Sequence, residues 1–157
     1  MNQNNWYSET MFATDAVMAG TLAESIRSSG LKVTAPRLAV FGALAEAPHA
    51  TAEQLFAAVS GDLPGTSLQA VYGVLAAFAA AGLVRKLEPA GSPARFERRV
   101  GDNHHHAICT RCNAVTDVDC AVGAAPCLDP GNASGFAVHT AEVTFWGLCA
   151  GCQVAPA

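Results

Sequence analysis

The chain has 157 residues, of which 51% are hydrophobic and 14% are charged, so it has enough apolar side chains for one packed domain or two small ones. A folded chain is therefore expected rather than a disordered one. The longest nearly apolar run, residues 70–84, ends at Arg85 and is shorter than the roughly 20 residues that a bilayer span needs. We therefore expect a globular protein without a membrane-spanning segment.

No targeting signal is evident in the first residues of the sequence. Residues 1–11 carry polar Asn and Gln where a signal peptide would have a basic start and an apolar core. We therefore expect a cytoplasmic protein, and we expect residues 1–14 to be a flexible or additional N-terminal segment.

Charge divides the sequence into two parts. The formal net charge is −4, yet eight of the nine Lys and Arg residues lie between Arg27 and Arg99. That span also holds five acidic residues and carries +3, whereas the remainder, with one basic and eight acidic residues, carries −7. Such an asymmetry predicts two domains with different partners, of which only the first needs to meet phosphate.

Helices are predicted through the first half of the chain. The first runs from about Asp15 to Ser29 and ends at Gly30. The second begins at Thr34 and ends before Pro48, because proline fits the first turn of a helix but not its interior.

Two further helices show start signals. Thr51 followed by Gln54 forms a capping-box pattern for a third helix, which ends near Gly61. A fourth helix begins at Thr66 or Ser67, after a short Pro/Gly connection. Its helical spacing predicts one buried face made of Val71, Val74, Leu75, Phe78 and Gly82.

Two short extended runs follow the fourth helix, at residues 83–88 and 94–98, and a Pro/Gly-rich turn separates them. Three helices, a further helix after a tight turn and a basic hairpin form a winged helix-turn-helix, which we expect over residues 1–98. A small helical domain with an incidental hairpin is the alternative.

The rest of the chain is predicted to form a second, smaller α/β domain, which makes the fold class α+β. Residues 99–103 form a hinge, and the second domain spans residues 104–157. Its predicted elements are strands at residues 104–109, 114–118 and 136–145 and a short helix over residues 119–128.

Four of the six cysteines form two C-x-x-C pairs. Cys109 and Cys112 make the first pair, Cys149 and Cys152 make the second, and 36 residues lie between the two pairs. Two residues between thiolates let a tight turn direct both sulfurs at one ion, and two such pairs complete a tetrahedron. The pattern predicts a structural Zn²⁺ site with no open position for catalysis, and two disulfides or an iron–thiolate centre are the alternatives.

A run of three histidines precedes the first cysteine pair. On a strand, His104 and His106 share one face while His105 points to the other. Three further residues are candidate donors. His49 lies between the second and third helices, Glu97 lies in the hairpin, and Asp117 lies on the next predicted strand. Nitrogen and oxygen donors of this kind suit iron, manganese, nickel or zinc. Surface histidines that bind nothing are the alternative.

Several stretches resemble the ferric uptake regulator family. They are residues 30–37 (GLKVTAPR), 69–72 (QAVY) and 102–109 (DNHHHAIC), together with the two C-x-x-C pairs. Within that family, residues 119–127 and residues 146–149 (WGLC) are similar to the actinobacterial branch that represses catalase-peroxidase genes. The resemblance covers about residues 20–153.

The resemblance implies two metal sites and a dimer. The family's structural zinc ligands match Cys109, Cys112, Cys149 and Cys152. The family's regulatory site, which takes Fe²⁺ or Mn²⁺, matches His49, Glu97, His104, His106 and Asp117. Residues 104–157 would then be the dimerisation domain of a homodimer that closes on palindromic double-stranded DNA when metal binds.

The resemblance to peroxide-responsive members also implies a signal. In those members hydrogen peroxide acts at bound ferrous iron and oxidises nearby histidines, which here would be His49 and His104, after which the metal leaves and repression ends. We therefore expect a repressor that responds to peroxide and controls a catalase-peroxidase gene and its own gene. Glu97 stands where the best-known peroxide sensors have Asp, so a repressor that responds to the iron level is the alternative. Cys120 and Cys127 are further redox candidates, or else plain buried thiols.

Basic and polar residues of the first domain are the candidates for contact with DNA. Lys and Arg would reach phosphates, whereas Gln69 and Tyr72 are better placed to touch base edges. The candidates are Lys32, Arg37, Ser67, Gln69, Tyr72, Arg85, Lys86 and Arg95, with Arg98 and Arg99 as further phosphate contacts.

Two functions from other classes compete with this interpretation. A metalloenzyme could use the histidine cluster, but no nucleophile or general base accompanies it. A zinc-ribbon interaction module would leave the basic first half unexplained. We therefore expect a protein that is not an enzyme and that has no small-molecule substrate.

Overall fold

The computed structural model describes residues 20–120, 131–138 and 141–154. The chain divides into two compact units. The first unit holds the described residues up to Glu88 together with Pro93–Val100, and the second holds Pro89–Ser92 and the described residues from Gly101 onward. Among the described residues, no helix combines the length and the apolar character that a bilayer span requires.

Four helices make up most of the first unit. The first, α1, is helical over residues 20–28 of the described part, and its predicted beginning at Asp15 lies outside the described residues. The other three helices are α2 (Ala35–Glu46), α3 (Ala52–Val59) and α4 (Leu68–Ala80). Their predicted positions are confirmed, although α3 ends two residues before Gly61.

Side-chain caps fix where α3 and α4 begin. The backbone N–H of Gln54 donates to Thr51 Oγ1 at 3.3 Å, and the backbone N–H of Thr51 donates to Gln54 Oε1 at 2.8 Å. This reciprocal pair is the predicted capping box, which satisfies two backbone donors that a helix start otherwise leaves open. Ser67 caps α4 in the simpler way, because its Oγ accepts from the backbone N–H of Ala70 at 3.2 Å.

The core of the first unit is apolar and draws on every helix. The α4 face predicted from helical spacing is confirmed for Val71, Leu75 and Phe78, which are fully buried. Phe78 packs against Phe41 of α2 with ring centroids 5.4 Å apart. The prediction was wrong for Gly82, which is exposed and lies beyond the end of α4 with φ +68°, a left-handed conformation that ends a helix.

A three-stranded antiparallel sheet completes the first unit. Its strands are β1 (Ala50–Thr51), β2 (Arg85–Leu87) and β3 (Arg95–Glu97), in the order β1-β3-β2. The predicted hairpin of β2 and β3 is confirmed, and its register pairs Arg85 with Glu97. Helices followed by this hairpin make a winged helix-turn-helix, as the sequence pattern indicates.

The second unit is built on another three-stranded sheet. Its elements are β4 (His104–Cys109), β5 (Val115–Asp119), β6 (Thr144–Gly147) and the short helix α5 (Ala150–Val154). The strand order is β5-β4-β6, with β5 antiparallel and β6 parallel to β4. The first two predicted strands of this unit are confirmed within one residue.

The third predicted strand of the second unit, over residues 136–145, is largely wrong. Only its last two residues belong to β6, and the described residues 136–138 and 141–143 have no strand. A backbone hydrogen bond of 2.9 Å from Phe136 to Ala133 closes a turn there, and Phe136 is 80% exposed. Apolar side chains alone therefore did not make a strand, because a strand also needs a partner. The predicted helix over 119–128 lies, from residue 121 onward, outside the described residues.

Candidate metal sites and DNA-binding surface

The two C-x-x-C pairs come together at one end of the second unit's sheet. Cys109 ends β4, and Cys112 lies in the turn that follows. A hydrogen bond of 2.9 Å from the Asn113 N–H to the Cys109 carbonyl closes this turn. Asn113 has φ +58°, a conformation that asparagine tolerates better than most residues. The parallel pairing of β6 with β4 places Gly147 beside Cys109, and α5 then begins directly after Cys149.

The four sulfurs have the spacing of a tetrahedral metal site. All the Sγ atoms of this thiolate cluster (Cys109, Cys112, Cys149 and Cys152) lie within 4.8 Å of one another, and those of Cys112 and Cys149 are 3.7 Å apart. Four Zn–S bonds of about 2.3 Å put neighbouring sulfurs about 3.8 Å apart. A disulfide would need an S–S distance of about 2.05 Å, and none of the five described cysteines forms one. The thiolate cluster therefore fits Zn²⁺.

The backbone around the thiolate cluster favours negative sulfur. Cys109 Sγ accepts a hydrogen bond of 3.4 Å from the backbone N–H of Cys149. This bond and those from the N–H groups of Cys112 and Arg111 lower the pKa of Cys109 to about 6. The neighbouring thiols of Cys112 and Cys149 instead raise the pKa of Cys152 to about 12. Such thiols would release their protons to water when a divalent cation binds, because the cation binds thiolates.

A buried imidazole–carboxylate pair lies in the first unit. His49 Nε2 and Glu97 Oε2 are 3.0 Å apart, and Glu97 is only 1% exposed. His49 precedes β1 and has φ +64°, a left-handed conformation that favours glycine, and Arg95 donates to its carbonyl at 3.1 Å. Arg85 Nε lies 3.7 Å from Glu97 Oε1 and compensates the buried carboxylate.

A second imidazole–carboxylate group lies in the second unit. The predicted alternation along β4 is confirmed, because the Nε2 atoms of His104 and His106 lie 4.0 and 3.7 Å from Asp117 Oδ1 on β5. His105 has its ring 6.3 Å from that of Phe145 instead. Two ligands held about 2.1 Å from one ion are about 3.0 Å apart at right angles and about 4.2 Å apart when opposed. Asp117 Oδ1 therefore lies at a distance from each of the two imidazole nitrogens that one cation can bridge.

Asp102 is a site residue that the sequence interpretation missed. Its Oδ1 lies 2.8 Å from His104 Nδ1, so the carboxylate can accept a hydrogen bond from Nδ1–H and orient the ring with Nε2 available to a cation. The signal was present in the sequence, since an aspartate two residues before a candidate ligand is a common orienting group. Arg85 and Arg95 make similar orienting contacts in the first unit, Arg85 with Glu97 and Arg95 with the His49 carbonyl. The sequence alone does not show these contacts, because they depend on the register of the hairpin.

The candidate DNA-contacting residues of the helices lie at the surface. Lys32 and Gln69 are exposed, and Tyr72 is 41% exposed. Arg37 donates to the carbonyl of Lys32 at 2.7 Å, and the Ser67 hydroxyl is occupied as the α4 cap. Tyr72 Oη lies 2.7 Å from Glu53 Oε1 of α3, a contact that the sequence interpretation did not include.

The basic residues of the hairpin make contacts within the protein. Arg85 and Arg95 contact the His49–Glu97 pair as described, and Lys86 Nζ lies 2.8 Å from Glu88. Arg98 stacks over the Phe41 ring, 4.1 Å from its centroid, and desolvation lowers its pKa. Of the redox candidates, Cys120 is half-buried after β5 and forms no disulfide, whereas Cys127 lies outside the described residues.

The fold and the donor groups define a metal-binding protein of the winged-helix class. The sequence profile of the ferric uptake regulator family matches residues 28–145. The chain is 54% identical over 132 residues to transcriptional regulator FurA of Mycobacterium tuberculosis, covering 84% of this chain and 90% of that protein. It is 30% identical over 136 residues to the peroxide operon regulator of Bacillus subtilis, covering 83% of this chain and 90% of that protein.

Solved structures agree with these sequence relationships. The crystal structure of the Vibrio cholerae ferric uptake regulator superposes with a TM-score of 0.61 at 28% identity, covering 81% of this chain and 98% of that one. The chain belongs to the ferric uptake regulator family. It is a metal-responsive DNA-binding transcriptional regulator and not an enzyme.

Proposed function

We propose that the chain is a homodimeric repressor that binds a palindromic operator when Fe²⁺ or Mn²⁺ is bound, and that peroxide ends this repression. Residues 1–98 would bind DNA, residues 99–103 would act as the hinge, and residues 104–157 would form the dimer. Zn²⁺ would be held by the thiolate cluster. The regulatory metal would be held by His49, Glu97, His104, His106 and Asp117.

The observation that carries this proposal is that each unit contains its own set of imidazole and carboxylate groups that could bind a metal. His49 and Glu97 are 3.0 Å apart in the first unit, and His104, His106 and Asp117 face one another in the second. Their nitrogen and oxygen atoms suit Fe²⁺ or Mn²⁺ better than the thiolate cluster does. An ion that takes ligands from both sets would favour one arrangement of the two units, and this differential affinity would couple metal binding to DNA binding.

Exposed apolar side chains of the second unit support the homodimer. Phe145 and Trp146 of β6 are 49% and 48% exposed, and Leu148 after them is 43% exposed. Aromatic and aliphatic groups gathered on a short strand and its end are typical of a surface that another chain covers. A second copy would place two DNA-binding units at a fixed spacing, which is what a palindrome requires.

The peroxide signal is the finer part of the proposal. Ferrous iron supplies the one-electron chemistry by which peroxide oxidises an adjacent imidazole. His49 and His104 are the candidates for oxidation, because each has a carboxylate that orients its ring, Glu97 for His49 and Asp102 for His104. Cys120 and Cys127 are the candidates for a thiol response instead. The resemblance to catalase-peroxidase repressors supports a cytoplasmic regulator of such a gene and of its own gene.

A repressor that responds to the iron level is the second candidate. Glu97, rather than Asp, is the buried carboxylate beside His49, and the family profile that the chain matches is that of ferric uptake regulators. In this case the metal would bind and leave according to its concentration, and the histidines would remain unmodified.

Anaerobic loading with Fe²⁺ or Mn²⁺, followed by peroxide, separates these candidates. The DNA is the promoter of the chain's own gene, and binding is measured by mobility shift. We expect the Fe²⁺ form alone to lose DNA binding, with a gain of one oxygen on the peptide of His49 or His104 by mass spectrometry. A gain confined to the cysteines would indicate a thiol switch, and reversible loss on iron removal without oxidation would indicate an iron-level repressor.

His104→Ala tests the regulatory site, with His105→Ala on the opposite face of β4 as the matched control. We expect His104→Ala to lose metal-dependent operator binding and His105→Ala to keep it. Unchanged metal-dependent binding by His104→Ala would contradict the proposed site.

A further inference from the structure

Tyr72 stands on the exposed face of α4, one turn from its start, with its hydroxyl group already engaged. Tyr72 Oη donates to Glu53 Oε1 of α3 at 2.7 Å, although the ring itself remains 41% exposed. The two residues come from consecutive helices of the helix-turn-helix. A side chain on the surface that would face DNA therefore carries a carboxylate partner from its own protein.

Glu53 is held in place by the start of α3. It lies in the first turn, beside the capping box of Thr51 and Gln54. The Tyr72 hydroxyl first, and then backbone N–H and the Thr51 hydroxyl, lower the pKa of Glu53. The same contact raises the pKa of Tyr72. The carboxylate is therefore ionised and accepts, while the phenol is protonated and donates.

The direction of this hydrogen bond restricts what Tyr72 can offer to DNA. A tyrosine hydroxyl has one proton to donate and lone pairs with which to accept. Since the proton is given to Glu53, the hydroxyl can only accept from a further partner. In the major groove the base donors are the amino groups of adenine N6 and cytosine N4, whereas phosphate, guanine and thymine present acceptors there.

We propose that Glu53 is a specificity-determining residue that acts through Tyr72, by making the Tyr72 hydroxyl an acceptor that selects adenine or cytosine over guanine or thymine. This inference rests on the proposed operator binding through α4. In this inference Glu53 determines which base is preferred, and the Tyr72 hydroxyl makes the contact with that base.

The negative charge of Glu53 has a second effect, because it lowers affinity for DNA of any sequence. A carboxylate on the surface that faces DNA repels phosphates of any sequence. Removing it should therefore raise affinity for arbitrary DNA while lowering discrimination among bases. A merely structural contact between α3 and α4 would behave differently, because its loss would weaken both kinds of binding together.

The experiment measures base preference with the metal-loaded full-length protein and the promoter of its own gene. The operator position most sensitive to Tyr72→Phe is found first, and all four bases are then placed there. We expect Glu53→Ala to lower the preference for adenine or cytosine by about tenfold, and to raise affinity for unrelated DNA by about two- to fivefold at low salt. Glu53→Ala in the Tyr72→Phe background should change the base preference no further.

Two more variants separate the charge from the hydrogen bond. Glu53→Gln keeps an amide oxygen that can accept from Tyr72, so it should keep most of the base preference while raising affinity for unrelated DNA. Glu46→Ala removes a different exposed carboxylate, at the end of α2, and should leave the base preference unchanged. Circular dichroism melts of each variant establish that the first unit is folded.

An unchanged base preference in Glu53→Ala would overturn the inference, as would an equal loss with and without the Tyr72 hydroxyl. Both results are distinct from failure of the proposed function. A wild-type protein that binds no DNA in any metal form would contradict the proposed function and, with it, this inference.

Discussion

The two units of the molecule are stabilised in different ways. The first unit buries apolar side chains from all four helices and from its small sheet, with Ile26, Leu75 and Phe78 fully buried. Among the described residues of the second unit, the buried apolar side chains are those of Ile108 and Cys109, next to three buried histidines. The first unit is therefore stabilised by hydrophobic burial, whereas the described part of the second unit offers little of it, so we expect metal binding to contribute more to the stability of the second unit.

Removing a proposed zinc ligand should have the largest effect on this difference between the two units. Structural zinc contributes about 10–16 kcal/mol in small metal-dependent domains. We expect Cys112→Ser to lose zinc and the fold of the second unit, while the first unit stays folded. Zinc content by mass spectrometry and hydrogen exchange in each unit measure the outcome.

Cys120→Ser is the control for that experiment, because Cys120 lies outside the thiolate cluster. It should keep both zinc and the protection of β4 and β5 from exchange. A Cys112→Ser protein that retains protected amides in the second unit without zinc would show that the sheet is stable by itself.

Truncating the core of the first unit should have the next largest effect. Phe78→Ala removes a fully buried ring that packs against Phe41, and such changes cost about 3–5 kcal/mol. We expect this loss in urea denaturation of the first unit, with the same size whether zinc is present or chelated.

Val154→Ala is the matched control, since this apolar side chain is 85% exposed and its loss should be nearly neutral. If the effect of Phe78→Ala depended on zinc, the two units would not be independently stabilised, and the comparison above would need revision.

The smallest expected effect concerns the start of α3. Thr51→Ala removes the side-chain half of the capping box, the hydroxyl that accepts from the Gln54 N–H, and should destabilise the first unit by about 1 kcal/mol, measured by thermal unfolding. Thr34→Ala is the control, because Thr34 occupies the same position before α2 but makes no side-chain cap hydrogen bond. Thr51→Ser should recover most of the stability, and equal effects at Thr34 and Thr51 would argue against the cap.

Local patterns explain which parts of the fold could be predicted from the sequence. The start of α3 follows from Thr51 and Gln54, and the thiolate cluster follows from two residues between each pair of cysteines. Such signals depend on neighbours within one turn of chain, so a single sequence contains them in full. A strand over residues 136–145 would have needed a distant partner strand, which the apolar pattern does not reveal, so the prediction there was largely wrong.

The candidate sites show the same division. His104 and His106 could be placed on one face from strand alternation alone. The orienting contacts of Arg85 with Glu97 and of Tyr72 with Glu53 could not, because each joins residues from different elements whose register only the fold establishes. Asp102 was within reach of sequence reasoning, since it lies two residues from His104.

The parallel alignment of β6 beside β4 makes the proposed zinc a crosslink across a long stretch of polypeptide. The tether between Cys112 and Cys149 contains 36 residues. The entropy of closing such a tether changes slowly with its length, by about 0.6 kcal/mol for each doubling. Insertions or deletions between β5 and β6 should thus leave metal affinity at the thiolate cluster almost unaltered, which gives that connection freedom to diverge while the two cysteine pairs stay fixed.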